Sequence, residues 1–229
     1  MPIHSLTREQ SRSIDQCAIE TVQVPGVVLM ENAGRNCADE IERFLKGLED
    51  SRIAVVCGAG NNGGDGYVIA RHLSMRGAEV AVLIVVPEEK IKGDAETNLR
   101  IIRNLELDVR FVEEEQLGSL AEGLESVDLI VDAVGGTGIS GALRGSLAEA
   151  VEQMNSVQRP IVAVDIPTGL DCDSGRAEGP ATKANLTITM VARKKGYDNP
   201  DSQTYTGEIV VADIGVPLEK VAQLRDRNG

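Results

Sequence analysis

The sequence predicts an α/β protein with a mostly parallel central sheet covered on both faces. Three observations predict it: apolar runs of strand length rich in Val and Ile, helical patterns between most of them, and glycine-dense turns after the runs. Across 229 residues there is no repeat, low-complexity segment or dividing linker, so 1–229 is read as a single domain.

The elements follow in order. Thr7 and Gln10 make a capping-box pattern, and Ile14, Cys17, Ala18 and Val22 recur at helical spacing, so a helix is expected over about 8–21. Pro25 and Gly26 close that connection. Leu29, Ala33, Cys37, Ile41, Phe44 and Leu45 then mark a second helix that ends at Gly47. These N-terminal helices, about 8–47, precede an α/β core over about 52–215. Its strands are expected at 53–58, 80–86, 109–112, 129–134, 161–166, 186–191 and 208–214, with helices near 65–76, 94–104, 115–124 and 146–156. No clear helical pattern separates the last two strands, and they are expected to form an edge hairpin. The long polar stretches 170–183 and 192–207 have a length that often carries function.

Composition narrows the function. Lys and Arg total 23 against 36 Asp and Glu, a formal net charge of −13, which disfavours a nucleic-acid or anionic-membrane partner. Aromatic residues are 2 % of the chain and Trp is absent, so base-stacking platforms are excluded as well. Two histidines, His4 and His72, and four scattered cysteines, Cys17, Cys37, Cys57 and Cys172, match no usual zinc spacing. A Ser-His-Asp triad would have to rest on His72. The thiols are expected to be reduced, and the polar start with no long apolar run is expected to mean a cytoplasmic protein.

In an open α/β sheet, ligands bind beyond the carboxyl ends of the strands, and three loops there carry candidate chemistry. The first runs from Gly58 to Gly66 and contains a literal GxGxxG, with Glu88 near where a ribose-binding acid would fall. Asp65 would repel a pyrophosphate on this helix N-terminus; it either caps the helix or faces a neutral ring, a sugar hydroxyl or a cation. The second runs from Asp132 to Ala142, where successive glycines let backbone N–H groups approach an anion. The third is Asp165-Ile166-Pro167-Thr168-Gly169, a carboxylate set at the end of a buried strand and placed for proton transfer, or for bracing the next turn.

Taken together, GAGNNGGDGYVIARHL, VDAVGGTGISGALRG and AVDIPTGLDCDSG, preceded by PGVVLMENAGR and followed by ADIGVP, resemble the NAD(P)H-hydrate epimerase family over nearly the whole chain. The resemblance implies a Rossmann-like three-layer α/β/α sandwich and an isomerase that interconverts the R and S forms of 6-hydroxylated nicotinamide nucleotides, NADHX and NADPHX. By the same resemblance, Asn61, Asn62, Gly63, Gly64 and Asp65 match the segment that contacts the nucleotide. Gly136, Thr137, Gly138, Ile139, Ser140, Gly141 and Ala142 match the segment that holds its phosphates. Asp165 matches the catalytic acid, which also contacts substrate. Asn62, Asp132 and Thr168 match the ligands of one potassium ion, an all-oxygen set suited to a hard cation. A homodimer through the N-terminal helices and a functional partnership with an NAD(P)H-hydrate dehydratase are likewise implied. Two positions depart from the family pattern: Thr168 stands where Ser is common, and Gly135 where Phe or Leu often precedes the GTG turn.

Two other readings compete. A non-catalytic binding or scaffold domain of the same fold has no need of Asp165, Asp132 or an intact NNGGD. A dinucleotide-dependent oxidoreductase built on the GxGxxG would need a second catalytic domain and a proton relay.

Overall fold

The computed structural model describes residues 5–228, with side chains described through Asp226, so His4 lies outside the described residues. Among the described residues, seven strands form one sheet in the order β3-β2-β1-β4-β5-β6-β7. They are β1 (Arg52–Cys57), β2 (Glu79–Ile84), β3 (Asp108–Phe111), β4 (Leu129–Ala133), β5 (Ile161–Val164), β6 (Leu186–Met190) and β7 (Glu208–Ala212). Every neighbouring pair is parallel.

The expected edge hairpin is therefore overturned: β6 and β7 run parallel, with Thr187 opposite Ile209. A parallel pair needs a crossover, and the chain between them folds into two short 3-10 turns and the helix α7 (Gln203–Thr206). These pieces are too short to leave a helical period in the sequence.

Helices cover both faces. α1 (Arg8–Glu20), α2 (Gly26–Leu45), α3 (Asn61–Met75), α4 (Gly93–Asn104) and α8 (Leu218–Asn228) share one core, to which β1 contributes Ile53, Val55 and Cys57. α5 (Leu120–Leu124) and α6 (Gly145–Ser156) share the other, to which β1 contributes Ala54 and Val56. This alternation is the period of two that puts successive side chains on opposite faces. Thr7 accepts from Gln10 N while Gln10 Oε1 accepts from Thr7 N, so the capping box forms as expected. α2 stops where Lys46 turns left-handed at φ 62° and Gly47 follows at φ 131°. The expected helix over 115–124 is divided between a 3-10 turn, Glu114–Ser119, and α5. All four cysteines are buried and free. No helix among the described residues is long and apolar enough to cross a membrane.

Candidate active site

From β1 the chain moves outward through β2 and β3, then returns to place β4 on the other side of β1. The carboxyl ends of β1 and β4 thus diverge at the switch point where this fold places ligands, and β5 lies next to β4. All three loops singled out in the sequence meet there.

In the loop after β1, two glycines are held by packing. A Cβ on Gly58 would lie 2.0 Å from the Val134 carbonyl oxygen, and one on Gly63 would lie 2.1 Å from the Gly58 carbonyl oxygen. Gly60, not Asp65, is the N-cap of α3, which corrects the capping alternative. Asp65 sits inside that helix, buried, and burial first, then Asp165 and Asp15, push its carboxyl well above the usual range. Asn61 is exposed, whereas Asn62 is buried and its Nδ2 has no partner among the described residues. Glu88 is ion-paired with Arg103 on the outside of the sheet, with Arg103 Nη2 2.8 Å from Glu88 Oε2, and is not free for a ribose.

In the loop after β4, Asp132 is fully buried. Its oxygens accept from Thr168 Oγ1 at 2.7 Å, Thr168 N at 2.9 Å and Val134 N at 3.2 Å. Burial raises its carboxyl, with those hydrogen bonds opposing. Thr168 Oγ1 in turn accepts from Gly135 N at 2.9 Å. A Cβ on Gly136 would lie 3.0 Å from Asn62 Oδ1 and 3.2 Å from Asp165 Oδ2, so Asn62 and Asp165 converge on that glycine. A Cβ on Gly135 would meet Ile139 Cδ1 at 2.0 Å. The side chain of Ile139 thus occupies the space that a side chain at position 135 would fill. Arg8 of α1 donates to the carbonyl oxygens of Thr137 and, at 2.5 Å, Ile139. Across a trans peptide the next N–H points the opposite way, so those of Gly138 and Ser140 face away from the Arg8 guanidinium. The tip, Ser140 to Ala142, is exposed.

In the loop after β5, Asp165 adopts φ 66°, a left-handed conformation uncommon outside glycine. Its Oδ1 lies 2.7 Å from Lys194 Nζ and accepts from Met190 N at 3.3 Å, while its carbonyl oxygen accepts from Tyr197 Oη at 2.6 Å. Lys194, 2 % exposed, also donates to the Met190 carbonyl at 2.8 Å. Sequence reasoning missed this lysine; the only signal for it was the length of the polar stretch that carries it. His72 lies on α3 against Glu31, 2.8 Å from Nε2 to Oε1, and is not among these groups.

A parallel sheet whose switch-point loops bring Asn62, Asp165 and a glycine-rich turn together defines a Rossmann-like protein of the α/β class. Residues 26–196 match the family described as YjeF-related protein N-terminus. The chain is 38 % identical over 218 residues to an NAD(P)H-hydrate epimerase of Rhodopirellula baltica, covering 95 % of this chain and 87 % of that one. It is 40 % identical over 222 residues to a bifunctional NAD(P)H-hydrate repair enzyme of Moorella thermoacetica, covering 96 % of this chain but spanning only 42 % of that relative's length. The crystal structure of yeast YNL200c aligns with TM-score 0.76 at 27 % identity, covering 85 % of this chain and 83 % of the yeast chain. The chain belongs to the NAD(P)H-hydrate epimerase family.

Proposed function

We propose that the chain is an isomerase that interconverts the R and S forms of NAD(P)H hydrate, taking NADHX and NADPHX as substrates. The observation that carries this reading is the convergence of Asn62 and the carboxylate of Asp165 on Gly136, beside a loop whose outward N–H groups can hold a phosphate. The hydroxylated ring carbon is a hemiaminal. Its nitrogen lone pair expels the hydroxyl group as water once a proton is supplied, and the planar cation takes water back on either face. An acid/base group and a negative charge near the cation suffice, and Asp165 is assigned to that work. A non-catalytic scaffold has no use for Asp165 and Lys194 as they stand.

Asn62, Asp132 and Thr168 suit a potassium ion. Asp132 is a buried carboxylate whose hydrogen-bond partners are all neutral, and the amide of Asn62 has an orphaned donor nearby, which leaves a carbonyl oxygen and a hydroxyl to complete a hard donor set. A bound cation would supply fixed positive charge beside Asp132. The chain is further read as a homodimer that acts alongside an NAD(P)H-hydrate dehydratase, the link supported by the bifunctional relative.

The test is direct: pure R-form hydrate is supplied and the S form followed by chromatography, with the spontaneous rate subtracted. A rate above background supports the epimerase. A rate equal to background with folded protein overturns it.

A further inference from the structure

The loop from Gly136 to Ala142 has little of its own to hold it. Apart from the half-buried side chain of Ile139, its one internal backbone hydrogen bond among the described residues runs from Ile139 N to Gly136 O at 3.1 Å. Gly138 stands in open space, where an added Cβ would meet nothing within 4 Å, and Gly141 turns at φ 75°. A glycine-dense segment of this kind loses much conformational freedom when it is ordered. What fixes it from outside is Arg8, whose Nη1 donates to the carbonyl oxygens of both Thr137 and Ile139. The N–H groups of Gly138 and Ser140, which face away from that guanidinium, have no backbone acceptor among the described residues.

Arg8 is itself held. Its side chain is 15 % exposed, its Nη2 donates to Asp171 Oδ2 at 2.7 Å, and its backbone N–H donates to Asp173 Oδ1 at 2.7 Å. The residue two before it is pinned as well: Leu6 pairs in parallel with Lys194, its N–H donating to Arg193 O at 2.8 Å and its carbonyl accepting from Lys195 N at 2.7 Å. A planar guanidinium reaches two carbonyls and a carboxylate at once, which the single ammonium of a lysine on a flexible stem does less well. Asp171, and Asp173 at 4.0 Å from Nε, balance the charge of Arg8, so what it gives the loop is geometry.

We propose that Arg8 is a positioning residue for nucleotide binding: it sets the glycine loop, before anything binds, in the form whose Gly138 and Ser140 N–H groups meet a phosphate. The inference rests on the reading of that loop as the phosphate holder. A loop that is already ordered loses little freedom when its ligand arrives, so the gain is read as affinity. The hydrogen-bond partners of Arg8 are the loop carbonyls, Asp171 and Asp173, not Asp165 or Lys194, so its removal acts on binding before it acts on turnover.

Arg8→Met and Arg8→Lys should be compared with the unsubstituted chain for kcat and KM on the hydrate and for hydrogen exchange at amides 136–142. A third readout is the rise in Tm given by ADP-ribose, which carries the phosphates without the nicotinamide ring. Arg8→Met should raise KM about 10-fold, the scale of lost hydrogen bonds to a charged group, with kcat changed by less than about 3-fold. It should also lose most of the ADP-ribose response and exchange the loop amides faster, and Arg8→Lys should fall between the two. If Arg8→Met does not fold, Arg8→Lys is judged by the same split. A folded Arg8→Met with the KM and ADP-ribose response of the unsubstituted chain overturns the inference while leaving the epimerase reading standing. A fall in kcat as large as that in kcat/KM in both variants, with Tm lowered, also overturns it, as a structural role. An ADP-ribose response that depends on Arg8 in a chain with no rate above background upholds the inference and removes the epimerase reading. No response in the unsubstituted chain overturns the inference.

Discussion

Asp165 is held where an L-residue resists being held. Its left-handed φ of 66° is matched by φ 68° at Val191, a β-branched residue for which that region is a true outlier, and the two flank the Asp165–Lys194 pair. Such strain persists only where surrounding contacts over-determine it, and it clusters at active sites. Asn tolerates the same backbone, so Asp165→Asn removes charge and exchangeable proton without a steric change. The epimerisation rate should fall by roughly 100-fold or more, with substrate binding retained. The variant also leaves Lys194 buried and unpaired, which should lower Tm. Adding Lys194→Met should restore stability but not turnover, and recovery of turnover in that double variant would refute the assignment.

At the scale of elements, α2 and α3 are joined by Glu31, which meets Arg71 Nη2 and His72 Nε2. Burial alone would raise the Glu31 carboxyl, but the hydrogen bond from His72 and the charge of Arg71 outweigh it and hold it below its ordinary 4.5. A depressed carboxyl stabilises the fold fully above its unfolded value and loses that contribution as pH falls below about 4.5. Since Glu31 is 40 % exposed, the contribution is discounted to about 0.5 kcal/mol. Glu31→Gln should therefore lower Tm by about 1–2 °C at pH 7 and by less at pH 4, followed by thermal melts. The elements themselves were legible because burial imposes period: strands as Val/Ile runs, helices as apolar stripes. Lys194 was not, since a lone charge in a polar stretch has no period, and its burial and its neighbours are decided by chain segments far away in sequence. Asp65 was open to misreading as a cap because α3 begins inside a glycine string of poor helix propensity, held there by close packing rather than by local preference. α8, with few apolar positions, became a helix by packing on α1, where Cys17 Sγ approaches Val221 O at 3.6 Å.

For the whole molecule, two properties depend on binding rather than on fold. Potassium taken up by Asn62, Asp132 and Thr168 should raise Tm by several degrees over an equal ionic strength of choline chloride and raise the epimerisation rate. Asp132→Asn should abolish both responses; unchanged melting would refute the cation site. The proposed homodimer would have to use the apolar residues that the N-terminal helices and the turn between them leave exposed. Leu29 and Met30 are buried within the protomer, while Ile19, Val22 and Val28 remain 43 %, 38 % and 43 % exposed. A dimer mass is expected by light scattering at micromolar concentration, and Val28→Asp should shift it to monomer; a monomer at the outset would refute the dimer.

The close approaches of Gly58 to Val134 and of Gly63 to Gly58 bear on how relatives of this chain should be sorted. Any side chain at either position would strike backbone, so both letters must survive wherever the sheet is assembled in this way, whether or not anything is bound or turned over. A sequence search keyed to them would collect inactive scaffolds and enzymes alike. The letters expected to separate the two groups are those this close packing does not require: Asp165 and its lysine.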